Sequence, residues 1–538
     1  MKKISYILVS LILGSFLMVS CDAMLDVDSE RYTFEENYRI GSDHDSLYSM
    51  VGILSQLQKL GDRYVLLGEL RGELMGANDD ASMFIKQIND FNVTSDNPYA
   101  SVKEYYAVIN SCNYTIHYAD TTMRKRGDMP MHRLMAAAKS IRAWTYMQLV
   151  LNHGKAKYIV EPILTAKDAE KDYEEYDINQ LADALIADLL PFRKTGSMNL
   201  GAFESFNSRL AMFPVRLILG DLYLWKGDYE NAAKMYHELI FNNELLIWEP
   251  YSSYWTFENN VVTDGYFYWN YLLYPTSIET VAALASSPDY GYAFSLDSLS
   301  YHGTIFPTEI SLKNWAKQVY YNSESAIEEG DMRAFDSHSG DYNNSLVLNN
   351  LKEVPYTIIT KFIDMNSDTE KRIILYRNSL IYLRYAEAVN RLGYPNLAFE
   401  VMKAGLSPQI VRSGNVGREL RSMHGSAIPE HLDFSNFKFT DNVGTRMRGL
   451  GKSNLDSTYF YIHSLPTKDD SILFVEDKIV EELSLELAYE GNRYQDLVRI
   501  AKRRNDPAYL ADKVSAKYTT NKEIIRAKLM DPKNWILP

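Results

Sequence analysis

The segment from Arg209 to Ile240, RLAMFPVRLILGDLYLWKGDYENAAKMYHELI, commits its part of the chain to two helices lying side by side. Its apolar residues recur at intervals of three and four, the period of one helix face and not of a strand. Small Gly220 and Ala232 stand where two antiparallel helices would approach, and Tyr223 and Tyr236 can fill the space beside them. Gly227-Asp228 supplies the turn, because glycine tolerates the left-handed backbone that ends a helix. Such a pair cannot bury its apolar surface alone, so other helices must stack on it.

Those helices are legible elsewhere. Leu219, Gly220, Tyr223, Gly227, Tyr229, Ala232 and Tyr236 have the spacing of a tetratricopeptide repeat, in degenerate form: Arg216 replaces the customary early Trp and no closing Pro follows. Ser379 to Leu406 repeats the arrangement with Ala386, Gly393, Ala398 and Met402. A helical unit over 135–154 ends at Asn152-His153-Gly154, and one over 478–504 is broken at Gly491. The units are not tandem. Irregular stretches near 72–99, 251–350 and 407–470 separate them, and Tyr251 to Pro275 is crowded with aromatics among Asn, Ser, Asp and Gly. The fold class expected is mainly α: a scaffold of helix pairs carrying aromatic-rich insertions of loops and short strands.

Ahead of this body, Lys2-Lys3 precedes an apolar run from Ile4 to Val19, the length of a signal h-region and too short to span a bilayer. It closes on Met18-Val19-Ser20-Cys21, which resembles a lipobox with Met18 where Leu is usual. The expectation is a lipoprotein signal peptide over residues 1–20 and acylation of Cys21. An acidic tether and linking segment over 21–40 follows, then a single domain over 41–538.

Composition and motifs exclude more than they name. A formal net charge of −14 argues against nucleic acid, whose binding rests on neutralising phosphates. With Cys21 acylated, Cys112 has no disulfide partner and reads as a small core residue. The ten histidines form no paired-ligand pattern and no cofactor site is expected; acidic and Asn residues in the loops leave a calcium ion open, though no EF-hand spacing occurs. Gly449-Leu450-Gly451-Lys452-Ser453 ends like a phosphate-binding loop, but Arg446 stands where the first glycine is required. No G-x-S-x-G elbow appears. Glu482, Glu486 and Glu490 recur every four residues, which reads as a structural or solvated helix face. Gly491 would cap that helix, and Arg493 could reach back to Glu490. No catalytic constellation is found. The excess of tyrosine, 40 residues, suits amphipathic ligands and wet interfaces.

Four stretches in order carry a family resemblance: Ala136 to Ile159; the repeat at Arg209 to Ile240; Tyr376 to Gly393, with its AEA-x-N-x-x-G run; and Glu486 to Arg499, with EG-x-R-x-x-DL-x-R. The chain resembles the SusD/RagB family of outer-membrane nutrient-binding lipoproteins of Bacteroidetes, and Arg448-Gly449-Leu450-Gly451 is similar to an RG-x-G loop of that family. The resemblance implies a lipid-anchored protein on the outer face of the cell outer membrane, capping a SusC-like TonB-dependent transporter barrel. It would bind oligosaccharide, or in some members oligopeptide, and catalyse nothing. Asn97 and Tyr99 occupy the place of a family recognition loop, where many relatives carry Trp. Tyr254, Trp255, Tyr266, Tyr268, Trp269 and Trp315 are the further ligand-binding candidates from the insertion. A surface glycoside hydrolase is the alternative from another class and requires two carboxylates across a cleft.

Overall fold

The computed structural model describes residues 39–124, 129–203, 206–247, 255–258, 261–265, 279–286, 293–321, 327–331, 333–337, 357–362, 371–449 and 460–538. The leader, Cys21 and the tether up to residue 38 lie outside them, as do Tyr254, Tyr266, Tyr268 and Trp269.

The principal helices are α1 (Asp43–Leu57), α2 (Gly61–Glu69), α3 (Met83–Asn89), α4 (Lys103–Tyr118), α5 (Pro130–His153), α6 (Ile178–Leu189), α7 (Val215–Lys226) and α8 (Tyr229–Asn243). They continue with α9 (Glu309–Ala316), α10 (Asn378–Arg391), α11 (Pro395–Lys403), α12 (Gly414–His424), α13 (Lys468–Glu486), α14 (Arg493–Arg504), α15 (Pro507–Ser515) and α16 (Lys522–Leu529). Neighbours stack in the order α1, α4, α5, α6, α7, α8, α10, α11, α13. Helix α8 therefore packs on α10 directly, and the long insertion between them leaves the stack. No helix among the described residues is long and apolar enough to cross a membrane.

Local chemistry sets the ends of these elements. Proline opens α5, α11 and α15, where its missing N–H costs nothing. Asp177 and Gln180 form a capping box on α6, and Thr467 and Asp470 form another on α13. Gly227 closes α7 at φ +83°, as its place in the repeat requires. Across that pair a Cβ on Gly220 would fall 2.6 Å from the Tyr236 ring, so the glycine is what admits the tyrosine. Helix α5 is buried on nearly every face, which places it in the middle of the core.

The insertion contributes short antiparallel pairs. Met75–Ala77 pairs with Ile305–Pro307, and Thr280–Ser286 pairs with Lys371–Arg377 through an irregular register near Tyr376. Trp255–Glu258 pairs with Val261–Gly265. The third irregular stretch departs from expectation: residues 407–470 contain Pro408–Arg412 and α12 besides 3₁₀ turns. The buried stripe of α12 is only Val416, Gly417 and Leu420, too sparse to show as a period in the sequence.

Candidate functional site

The carboxylate row of the terminal signature is neither solvated nor joined by local pairs. Helix α13 ends at Glu486, so Glu490 stands beyond it and Gly491 does not cap it. Gly491 lies at φ +87°, and its carbonyl passes so close to Gly68 that no Cβ fits there; a Cβ on Gly491 would itself meet the Tyr64 ring at 2.5 Å. Glu486 accepts from Arg377 at 2.5 Å, Arg448 at 2.6 Å and Arg333 at 3.0 Å. Glu482 meets Arg333 at 2.6 Å, and Glu490 meets Arg377 at 2.9 Å and Lys361 at 2.8 Å. Burial alone would raise the Glu486 carboxyl, but the three guanidinium groups hold it well below the usual carboxylate range. Arg448 also pairs with Glu279, and a Cβ on Gly449 would strike the Tyr320 hydroxyl that donates to Asp331. The RG dipeptide is thus a structural wedge.

A second set of pairs locks the helical repeats to the terminal helices. Asp221 on α7 accepts from Tyr236 at 2.6 Å, Tyr376 at 2.8 Å and Arg384. Glu387, the acid of the AEA run, takes Arg499 at 2.9 and 2.6 Å and also Arg503, while Asp496 pairs with Arg499 at 2.8 Å. Apart from half-buried Arg503 these residues are buried, and their charges are paired with one another.

On the other side of α13 and α14 lies a cleft of about 480 Å³. Its walls are Glu73, Ile310 and Asn314, then Lys317, Asp477, Glu481 and Ser484, and finally Arg493, Asp512, Lys513 and Ala516. Arg493 clamps Glu73 here, at 2.9 and 3.1 Å from Nε, instead of reaching Glu490. Burial pushes the Glu73 carboxyl up, but Arg493 overrides it and the carboxyl rests below its ordinary range. Glu481 bonds Lys478 at 2.8 Å and Gln318 at 3.3 Å; against the effect of burial, Lys478 brings it down to about 2. Asp477 takes Arg504 at 2.8 Å, and Asp512 takes Arg526 at 2.6 Å. Every carboxylate is committed. The Lys513 ammonium, half-buried over the Tyr509 ring, and the Asn314 carboxamide have no hydrogen-bond partner among the described residues. Lys317 is held only loosely, 3.6 Å from Glu481.

Of the sequence-predicted candidates, Asn97, Tyr99 and Trp315 do not line this cleft. Trp315 belongs to the same helix as Asn314 but points inward, 1% exposed, and its indole N–H donates to the Leu485 carbonyl at 3.1 Å. Asn97 is 1% exposed and spends its amide on Phe84 O and Gln87 Oε1, while its carbonyl caps the Tyr99 N–H. Both therefore serve the interior, because a polar tip on a buried side chain must be satisfied. Tyr99 is half-buried and packed on the core next to Asn97. Trp255 opens a short strand of the insertion. Cys112 is a core residue, its thiol pushed up to about 12 by burial. Sequence reading missed Asn314 and Lys513, since Glu73, Asn314 and Lys513 meet only through the fold. Among the described residues no group of His, Cys, Asp and Glu could hold a metal ion.

The architecture matches known structures. A SusD superfamily protein of Bacteroides vulgatus aligns over 91% of this chain and 93% of its own, at 13% identity and TM-score 0.59. A SusD homolog of Bacteroides thetaiotaomicron covers 93% and 95%, at 15% identity and TM-score 0.58. A structure described as a laminarin-binding SusD-like protein covers 93% and 96%, at 15% identity and TM-score 0.50. By sequence, a SusD-like protein of Formosa agariphila is 26% identical over 187 residues, 34% of this chain; that match spans about a third, 35%, of the relative's length. No family model matches the chain. The fold is that of the SusD superfamily, as the four sequence stretches led one to expect.

Proposed function

We propose that this SusD-like chain is a nutrient-binding lipoprotein of the cell surface, anchored through Cys21, that captures an oligosaccharide and passes it to a TonB-dependent transporter. The observation that carries the binding reading is the α13–α15 cleft, where all carboxylates are neutralised but an ammonium and an amide remain unpaired. Hydroxyl groups of a sugar can accept from Lys513, Lys317 and Asn314, with waters bridging the rest. Hydrolysis would instead need one carboxyl kept protonated opposite an ionised one. Glu73 and Glu481 are both held below the usual range, so neither suits the role of the acid. A relative of the same fold is described as laminarin-binding, which supports a glycan as the ligand class.

The test is calorimetric titration of the chain with an oligosaccharide panel, laminarin fragments included, and a peptide panel alongside. Saturable binding of an oligosaccharide without shortening of the sugar is expected. Binding of peptides alone would replace the glycan reading, and turnover of any glycan would overturn the non-catalytic one. For the anchor, Cys21→Ser should release the protein from the membrane fraction and abolish uptake; retention with uptake intact would refute it.

A further inference from the structure

Arg71 is buried, 2% exposed, and no carboxylate lies within ion-pair reach of it among the described residues. Its Nε donates to Leu67 O at 2.8 Å, one terminal nitrogen to Trp535 O at 3.3 Å and the other to Asn152 Oδ1. A guanidinium has five N–H groups, so two remain without a protein acceptor. The ring of Tyr494 supports its plane at 4.3 Å. Burial without a counter-charge lowers its pKa, opposite to the buried and paired arginines Arg333, Arg377, Arg384, Arg493 and Arg499, whose carboxylate partners raise theirs. A buried cation without a counter-charge is costly to the fold.

Arg71 lines a cavity of about 340 Å³ with Lys528, Lys533, Asn534, Phe91 and Val93, closed by the segment Ile536–Pro538. Lys528 is turned toward it by bonds to Phe91 O and, at 2.9 Å, to Asn92 Oδ1. Phe91 holds a left-handed backbone, φ +55°, where Lys528 takes its carbonyl. Lys533 is exposed and has neither an ion pair nor a hydrogen bond from its ammonium among the described residues. Three cations thus line one hollow whose side chains include no acid; the acid on its wall is the Pro538 α-carboxylate, which forms no ion pair with them among the described residues. One of them is a planar two-pronged donor, the geometry that suits carboxylate or sulfate.

We infer that the Arg71–Lys528–Lys533 cavity is an oxyanion subsite, and that the ligand of this protein is an acidic saccharide carrying a carboxylate or sulfate group. The second half rests on the glycan reading above; the first does not. An apolar wall from Phe91 and Val93 beside the charged end matches a sugar ring that bears one anionic substituent.

The experiment titrates the chain with three probes: inorganic sulfate, a neutral oligosaccharide, and the same oligosaccharide carrying uronate or sulfate. Lys533→Gln and Lys528→Gln are measured beside the parent. The Lys533 ammonium has no hydrogen bond or ion pair to lose among the described residues, so Lys533→Gln keeps the test valid if Lys528→Gln fails to fold. The expected result is at least tenfold tighter binding of the acidic than the neutral sugar, a preference that Lys533→Gln cuts severalfold. Equal affinity for the two sugars, with no response to sulfate, overturns the subsite and leaves the glycan reading standing. Sulfate binding that Lys533→Gln weakens, with no saccharide bound, keeps the subsite and overturns the acidic-saccharide ligand. No binding of any probe overturns both.

Discussion

Around Glu486 and around Arg71 the protein buries guanidinium groups in two different ways. At Glu486 three arginines share one carboxylate, and each reaches a further one: Arg333 meets Glu482, Arg377 meets Glu490 and Arg448 meets Glu279. The result is a closed lattice joining α13 to the insertion and to α10. At Arg71 the acceptors are two carbonyls and an amide, and the surplus charge faces a hollow. The cleft between α9, α13 and α15 sits between these extremes, with its acids paired and Lys513 left over. The difference teaches where to look for ligand. Matched buried charge fixes the arrangement of segments far apart in sequence; unmatched charge beside a cavity is what a partner molecule can neutralise.

Breaking the lattice should have the largest effect. Glu486→Gln leaves Arg377, Arg448 and Arg333 short of a counter-charge, and the expected loss is about 3–5 kcal/mol in urea unfolding. A loss under about 1 kcal/mol would mean that the lattice is no more structural than the cleft.

The pH dependence is next. Glu69 is fully buried, and burial pushes its carboxyl up to about 7 although the N–H groups of Gly491, Arg493 and Tyr489 oppose this. The folded chain therefore holds that proton more tightly than the unfolded one. Its stability contribution is full below the ordinary carboxylate range and is lost as pH rises through about 7, on the order of 3 kcal/mol. Glu387 runs the other way: against burial, Arg499 and Arg503 hold it at about 2, so its contribution is present above the ordinary range and fades as pH falls toward about 2. Glu69→Gln should flatten the limb between about pH 5 and 8 in thermal melts, and an unchanged limb would remove Glu69 from the account.

Smaller effects separate architecture from binding. Tyr236→Phe removes one donor to Asp221 without opening the space over Gly220, for an expected loss of about 1 kcal/mol. Lys513→Gln should change stability by less than about 0.5 kcal/mol while weakening oligosaccharide binding about tenfold, near 1.4 kcal/mol. If Lys513→Gln instead destabilised the fold and spared binding, the cleft would belong with the lattice.

Much of the scaffold was legible because helical periodicity and turn glycines are local signals. Gly154, Gly227 and Gly393 all take positive φ at the ends of predicted helices. Gly491 shows the limit of that reasoning: its residue type was informative, but its reason is close approach to Gly68, which no local pattern reveals. The carboxylate row was equally visible, yet only long-range partners such as Arg333 and Arg377 made it buried instead of solvated. Asn97 and Trp315 show why aromatic and amide content is a weak guide to a site. A buried Trp or Asn must also be satisfied, and both found their partners inside.

By itself the sequence determined a mainly helical scaffold of paired helices, its turns and its likeness to SusD-type proteins, because these rest on spacing within a few dozen residues. Only the tertiary structure decided which charges are matched. Glu73 meets Arg493, Glu387 meets Arg499 and Arg71 meets no acid among the described residues, and such pairings form across a hundred residues or more, where periodicity carries no information. The physical reason is that burial makes pairing obligatory, whereas the partner is chosen by whichever distant segment the fold brings within reach.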